Sequence, residues 1–491
     1  MDHGPDDQVQ FENGENIPIL HIASTSSPSP PPPPSNAAAS DANAAPDSSF
    51  RRSTREFGES STARQQRLRA MNEALPEVLL EILAAQVAID ASNRHGRLAA
   101  APAVARLFQV CSTWRGVSHL DPLWQRLTRL IWRRAYLIRD TWREEYIYWH
   151  RTARNFALGA PSFHVPHFDP SMPPNGAGDR QTLLCRCLAL SDRHLACGFA
   201  DGTVRLFDVE TLAHVSTFRT NHGPRFGPFS RSVSGIILSN STLTFARLDG
   251  DIFVASVNVA NEPPQQVVAG DVVNNGVLVE FAGNSRWWVG LYAGLPGRAF
   301  QIWDAPNQQL VSVGGTLTDP ETVMGWHMLT ELVEPVGRVR VTEPDYVVAC
   351  TSSRLVCFSL WNPEEVIRDV GSVTGFVVSS LDARHDAFVV VERNGYGTVR
   401  RASTFERLSR FRLRPPWVRG LLACINLGYV LTYSGVSRML RVWNIEQLAG
   451  VFCCALEVRD NAPEGNAMVA NERHVAISWN DTFIQLLDFG V

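Results

Sequence analysis

From Cys185 to the end of the chain one short unit recurs: an extended run, a tight turn, then a second extended run ending near an aromatic residue and an acid or amide. It reads Asp201-Gly202-Thr203-Val204-Arg205-Leu206-Phe207-Asp208, and then Asp249-Gly250-Asp251-Ile252-Phe253-Val254. Looser copies run from Arg298 to Asp304, Arg354 to Trp361, Gly397 to Arg401, Met439 to Asn444 and Phe483 to Phe489. Asp-Gly between alternating runs signals a hairpin, because the central positions of a type I′ turn take positive φ. The anchors lie about 41 to 57 residues apart, a period at which one unit cannot bury its own apolar face and must stack on neighbours. Seven such units predict a seven-bladed β-propeller. The last unit reaches only a third strand, Ile484 to Phe489, so a closed ring needs a fourth from upstream. Ser162 to Phe168 is the expected donor, since closure removes exposed sheet edges.

Ahead of this region the period changes. Apolar residues at 75, 79, 82, 83 and 87 fall on one helical face, with Pro76 at its start, where a missing N–H costs nothing. Leu107, Val110, Cys111 and Trp114 make a second stripe, read as one helix running from Pro102 to Gly116. Asp121-Pro122 then opens a third, with Leu123, Leu127, Leu130 and Ile131 expected inward. Leu75-Pro76, Val110-Cys111-x-x-Trp114 and Leu123-Trp124 on three short helices resemble an F-box, the helical module by which a ubiquitin-ligase receptor docks on its adaptor. The segment Asp90 to Ala101 is longer than that pattern has and lacks a second Leu-Pro.

The expected fold class is therefore multidomain, α then all-β: a three-helix F-box at 70–132, a helical linker at 133–160 and a WD-repeat-type seven-bladed β-propeller at 161–491. Residues 1–65, rich in Ser, Ala and Asp with the run Pro30 to Pro34, predict a disordered tail, because they cannot bury enough apolar area to offset chain entropy. Between 133 and 156, arginines alternate with Trp142, Tyr146, Tyr148 and Trp149. That pattern suits either a nucleic-acid surface or a linker helix with packed rings and solvated guanidinium groups.

Composition narrows the chemistry. No lysine occurs, so all 45 Lys+Arg residues are arginine. Three readings stand side by side: biased codon usage, protection of a ligase receptor from its own ligase, and bidentate recognition of acidic clients. Without lysine there is no Walker-type phosphate loop, and neither a Gly-x-Ser-x-Gly elbow nor a His-Glu-x-x-His pair occurs. Nine cysteines without framework spacing predict reduced thiols, with Cys185 and Cys187 on one buried strand face. His164 and His167 lack companion ligands, so no metal and no cofactor is expected. The acidic N-terminus has no apolar core, and the most apolar stretch, 74–89, is broken by Glu77 and Glu81. Neither a secretory signal nor a membrane span is expected.

Several longer segments together resemble the plant STERILE APETALA family. They are Trp142 to Phe156, Cys185-Arg186-Cys187-Leu188, Gly198 to Phe207, Arg225 to Arg231 with Val233 to Ile236, Gly314 to Glu321, and Val323 to His327. The resemblance runs from about residue 73 to the end. It implies a nuclear, non-catalytic substrate receptor that joins a Skp-type adaptor and a cullin ligase. Its expected clients are PEAPOD-type transcriptional repressors, and its expected output is control of organ size and flower development. The alternative it implies is a nuclear transcriptional regulator of floral identity genes acting through DNA or a repressor complex. Leu75, Pro76, Leu79, Ile82, Leu83, Val110, Cys111, Trp114, Leu123 and Trp124 are the expected adaptor-binding module. Arg225, Arg231, Trp326 and His327 are the expected client contacts, with blade core for Trp326 and inter-blade pairing for the arginines as the competing assignment.

Overall fold

Seven four-stranded antiparallel sheets form the bulk of the molecule in a computed structural model. It describes residues 76–167, 183–220, 223, 225–259, 262–317, 322–331, 336–371, 378–413, 420–459, 464–480 and 483–490. Leu75, Phe168 and the tail over 1–65 lie outside them. Each of the first six blades is built from four consecutive strands, the first of them innermost. The seventh is completed by Ser162–His164, which pairs antiparallel with Ile484–Asp488 and supplies the outermost strand of the last blade.

Bulges at repeating places add to the intrinsic right-handed twist of the blades. The inner strand shifts register at Cys185/Cys187, Val233/Gly235, Leu278/Glu280, Val378/Ser380 and Gly465/Ala467. An extra residue there bends the strand and adds right-handed twist, which lets wedge-shaped sheets pack around an axis. This bulge also corrects the expectation for the thiols. Cys185 is fully buried between blades, whereas Cys187 is half-buried on the channel wall, and all nine cysteines are free. At Gly235 the inner strands approach so closely that a Cβ would sit 1.9 Å from the carbonyl oxygen of Phe281.

The Asp-Gly hairpins exist, but with a different turn. Arg247 N–H donates to the Asp251 carbonyl at 3.0 Å and Gly250 N–H to that of Arg247 at 2.9 Å, while only the glycine has positive φ, +87°. That is a three-residue loop, a type I turn followed by a left-handed glycine, rather than a two-residue I′ turn. The aspartate keeps ordinary φ and its side chain is freed for other bonds.

Helices α1 (Glu77–His95), α2 (Ala100–Phe108), α3 (Ser112–Val117), α4 (Asp121–Trp132) and α5 (Trp142–Leu158) form the N-terminal module. The long segment after residue 90 is not an irregular insert: α1 continues to His95, and a 3-10 turn, Arg97–Ala99, leads into α2. The stripe from Leu107 to Trp114 does not lie on one helix. The chain breaks at 109–111, Cys111 is extended (φ −160°), and α3 restarts at Ser112. Leu130, expected inward, is exposed, and the interior of α4 is Leu123, Trp124, Leu127, Ile131 and Trp132.

The module is fixed to the end of the propeller formed by the turns between first and second strands. Arg134 is the pin. Its Nη1 donates to Asp192 at 3.0 and 3.2 Å, its Nη2 to Glu472 at 3.3 Å, and its guanidinium lies 4.0 Å over the Trp149 ring. Glu472 also accepts from Arg384 and His385, so blades 5 and 7 meet the module at one carboxylate while blade 1 reaches the same arginine through Asp192. Burial would raise the Glu472 pKa, but Arg384, His385 and Arg134 outweigh it and hold the carboxyl well below its usual range. Phe156 of α5 stacks 3.8 Å from Phe489, and Asn155 donates to the Phe489 carbonyl at 2.8 Å. Arg134 is thus an exception to the expected solvated arginines, while the rings at 142, 146, 148 and 149 are packed as a linker helix requires.

The seventh blade also encloses a histidine whose protonation opposes folding. His474 is 1% exposed, both ring nitrogens lack hydrogen-bond partners among the described residues, and burial pushes its pKa down to about 4 despite Asp488. The native ring stays neutral while the unfolded one takes a proton below about 6.5, so stability falls as pH drops from about 6.5 to about 4. The loss reaches about 3 kcal/mol. Thermal melts across that window should show a shallower decline for His474→Gln than for the native chain; parallel declines would assign the acid sensitivity to other groups.

Candidate functional site

Two exposed faces stand out, at opposite ends of the molecule. The first is on α1. Leu80, Ala84, Ala85 and Ala88 turn inward at helical spacing and meet α4, while the alanines bring the helices close. The opposite side presents Val78, Leu79, Ile82, Leu83 and Val87, each between 39% and 64% exposed. The break between α2 and α3 presents Val110 as well, 61% exposed. Apolar side chains clustered this way are the mark of an unfilled interface rather than of scattered surface residues.

The module's own core takes the other residues singled out in its sequence. Trp114, Leu123 and Trp124 are buried, and the Trp124 indole donates to the Ser118 carbonyl at 2.8 Å and lies 5.1 Å from Tyr146. Cys111 is half-buried, and a backbone hydrogen bond from Trp114 lowers its thiol pKa. Pro76 is exposed at the start of α1. Sequence spacing groups these residues together; the structure divides them into an exposed side (Leu79, Ile82, Leu83, Val110) and a packed side.

The second face is built by two connections between blades, 219–232 and 315–331, at the end away from the helices. Its support is a buried ion cluster. Arg247, fully buried, donates to Asp249 Oδ2 at 2.6 Å, to Asp251 Oδ2 at 2.7 Å and to Thr220 Oγ1 at 2.8 Å. Burial raises the Asp249 pKa, and Arg247 opposes that rise. Backbone bonds Asp249 N to Ser230 O (2.9 Å) and Leu248 N to Ser232 O (3.0 Å) fasten the first connection to the blade 2 turn. Phe229 N–H then donates to the Leu329 carbonyl at 3.1 Å, joining the two connections. At Gly227 (φ +140°) a Cβ would lie 2.4 Å from that same carbonyl oxygen, so only glycine fits.

The expected client residues Arg225, Trp326 and His327 are exposed on this joined pair, together with Phe226, which sequence reasoning passed over. Trp326 is not blade core: it is 38% exposed, with its indole nitrogen against Gly294. Arg231 is half-buried, with its Nε enclosed, so it supports the face from behind rather than projecting from it. Phe226, between Arg225 and Gly227, carried a usable signal, a large ring beside an arginine, a glycine and a proline in a connection between blades. The pinning residues Arg134, Asp192 and Glu472 carried none, since they lie as much as 338 positions apart.

No family model matches the chain. It is 45% identical over 427 residues to "Transcriptional regulator STERILE APETALA" of Arabidopsis thaliana, which spans 86% of this chain and 93% of that protein. Among solved structures, the WD40 β-propeller domain of Doa1 is similar at 13% identity and TM-score 0.43, over 62% of this chain and 92% of that one. The β-propeller domain of Myceliophthora thermophila Cps50 (Swd1) is similar at 13% identity and TM-score 0.47, over 67% and 99%.

Proposed function

The chain belongs to the STERILE APETALA family, and from that premise we propose that it is the substrate receptor of an SCF-type (Skp-cullin-F-box) ubiquitin ligase. In this reading the helical module is an F-box. Leu79, Ile82, Leu83 and Val110 dock on a Skp-type adaptor, which brings the cullin. The face around Arg225, Phe226, Trp326 and His327 holds the client, a transcriptional repressor of PEAPOD type. The chain does no bond chemistry itself; it holds client lysines near the charged ubiquitin carrier, and proximity supplies the rate. It acts in the nucleus, on organ size and flower development.

One observation carries the reading: an apolar helical face and an aromatic, basic loop face lie at opposite ends of a body made rigid by the Arg134–Glu472 pin. A receptor needs two such surfaces that cannot compete. The relative's name, a transcriptional regulator, is met because removing a repressor changes transcription. Direct reading of DNA has less support, since the rings of 142–149 are buried and Arg134 is committed to carboxylates.

Changing Arg225, Phe226, Trp326 and His327 together to Ala should weaken capture of a PEAPOD-type client at least tenfold and leave adaptor capture intact, both measured by co-purification from plant extract. Undiminished client capture would move the client site off this face. Failure of the intact chain to hold any Skp-type adaptor, with specific retention of promoter DNA, would favour the direct regulator.

A further inference from the structure

The propeller's central channel has a volume of about 820 Å³, within the roughly 300 to 1,000 Å³ range of small-molecule sites. Its wall is charged, not merely wet. Arg340 of blade 4 lies between two carboxylates, with Nη1 2.7 Å from Glu280 Oε1 and Nε 3.0 Å from Asp382 Oδ1. Arg338 shares the same Glu280 oxygen at 3.6 Å. Both acids are already engaged by backbone as well, Glu280 by Val339 N–H at 2.6 Å and Asp382 by Ile425 N–H at 3.0 Å. Arg384, at the rim, is taken by Glu472.

Arg186, on the inner strand of blade 1, is left over. It lines the channel, its Nη1 is enclosed without a hydrogen-bond partner among the described residues, and no carboxylate pairs with it. Arg338 is the neighbouring charge it feels, and burial with that repulsion brings its pKa down to about 10, so it stays cationic at neutral pH. Three guanidinium groups, Arg186, Arg338 and Arg340, thus face two carboxylates. A guanidinium enclosed without a counter-charge is costly, and its planar fork suits a phosphate or carboxylate oxygen pair.

We propose that the central channel is a binding site for a small anion bearing phosphate or carboxylate groups, held by Arg186 and Arg338. Glu280 and Asp382 offset two of the three guanidinium charges, so one positive charge stays unmatched in the channel for the anion to answer. The proposal is independent of the ligase reading.

The test is titration calorimetry and thermal melting of the full chain with pyrophosphate, citrate and, as a control for ionic strength, chloride. Pyrophosphate or citrate should raise the melting temperature of the native chain, and the one that does so names the preferred acid. Arg186→Met should weaken that binding at least tenfold without lowering the melting temperature of the unliganded protein, since Arg186 has no partner to lose. Arg186→Lys, which keeps the charge without the fork, should fall between. Should Arg186→Met fail to fold, Arg338→Met carries the same comparison. A native chain indifferent to both anions, or an anion response unchanged in the Arg186 and Arg338 variants, overturns the assignment and leaves a channel filled with water alone.

Discussion

Replacing both Ile82 and Leu83 with Asp should reduce capture of a Skp-type adaptor by more than about 100-fold, because two apolar anchors at an interface centre are each worth about 2 kcal/mol or more and every 1.4 kcal/mol is tenfold. Stability should barely move. The side chains are 41% and 47% exposed in the free protein, and surface changes of that kind stay within about 0.5 kcal/mol. Leu80→Asp, one turn position away and 1% exposed, is the contrast: it buries a charge against α4 and should unfold the helical module. Adaptor binding by biolayer interferometry and circular dichroism melts on the same preparations separate the two outcomes. Full adaptor capture by the Ile82/Leu83 variant would take the docking site off α1 and with it the F-box reading.

The second large effect is expected at the buried cluster under the loop face formed by 219–232 and 315–331. Arg247→Leu removes the one cation facing Asp249 and Asp251, all three being 2% exposed or less. Breaking a buried pair by deleting one partner costs about 3 to 5 kcal/mol. For a domain of this size that lowers the melting temperature by roughly 10 °C. The pH dependence gives the cause away. Burial already raises the Asp249 pKa, and without Arg247 it rises further, so the variant should regain stability as pH falls and Asp249 takes up a proton. A variant that melts with the native chain at pH 7, or loses ground on acidification faster than it, would show that the cluster does not support the loop.

Much of this architecture can be read from periods. The seven β units, the closing strand near Ser162 and the helical stripes are all local patterns in which side chains repeat every two or every 3.6 residues, and the chain spells them out. What periods do not contain is the choice between equivalent faces. The stripe at 79, 82, 83 and 87 looks like a core stripe, yet the core of α1 is made by the small residues Ala84, Ala85 and Ala88, which a hydrophobic-stripe reading discounts. Likewise the break at 109–111 turns Val110 outward although its spacing fits Leu107 and Trp114. Charges that pair across blades are illegible for a different reason. Arg340 meets Asp382 only because adjacent blades pack, and Arg134 meets Glu472 only because the first and last parts of the described fold come together, pairings that no local pattern spells out.

That ring is fastened by residues 162–164 against residues 484–488, so its two halves of one blade are the first and last β segments to leave the ribosome. During synthesis the helical module, complete by residue 158, emerges before any blade, whereas residues 162–164 find their partner only when residues 484–488 arrive. A stalled or prematurely terminated product would carry a finished helical module, with its exposed apolar face, beside an open, sticky sheet edge. Phe489 stacking on Phe156 ties completion of the last blade to the seating of the helical module.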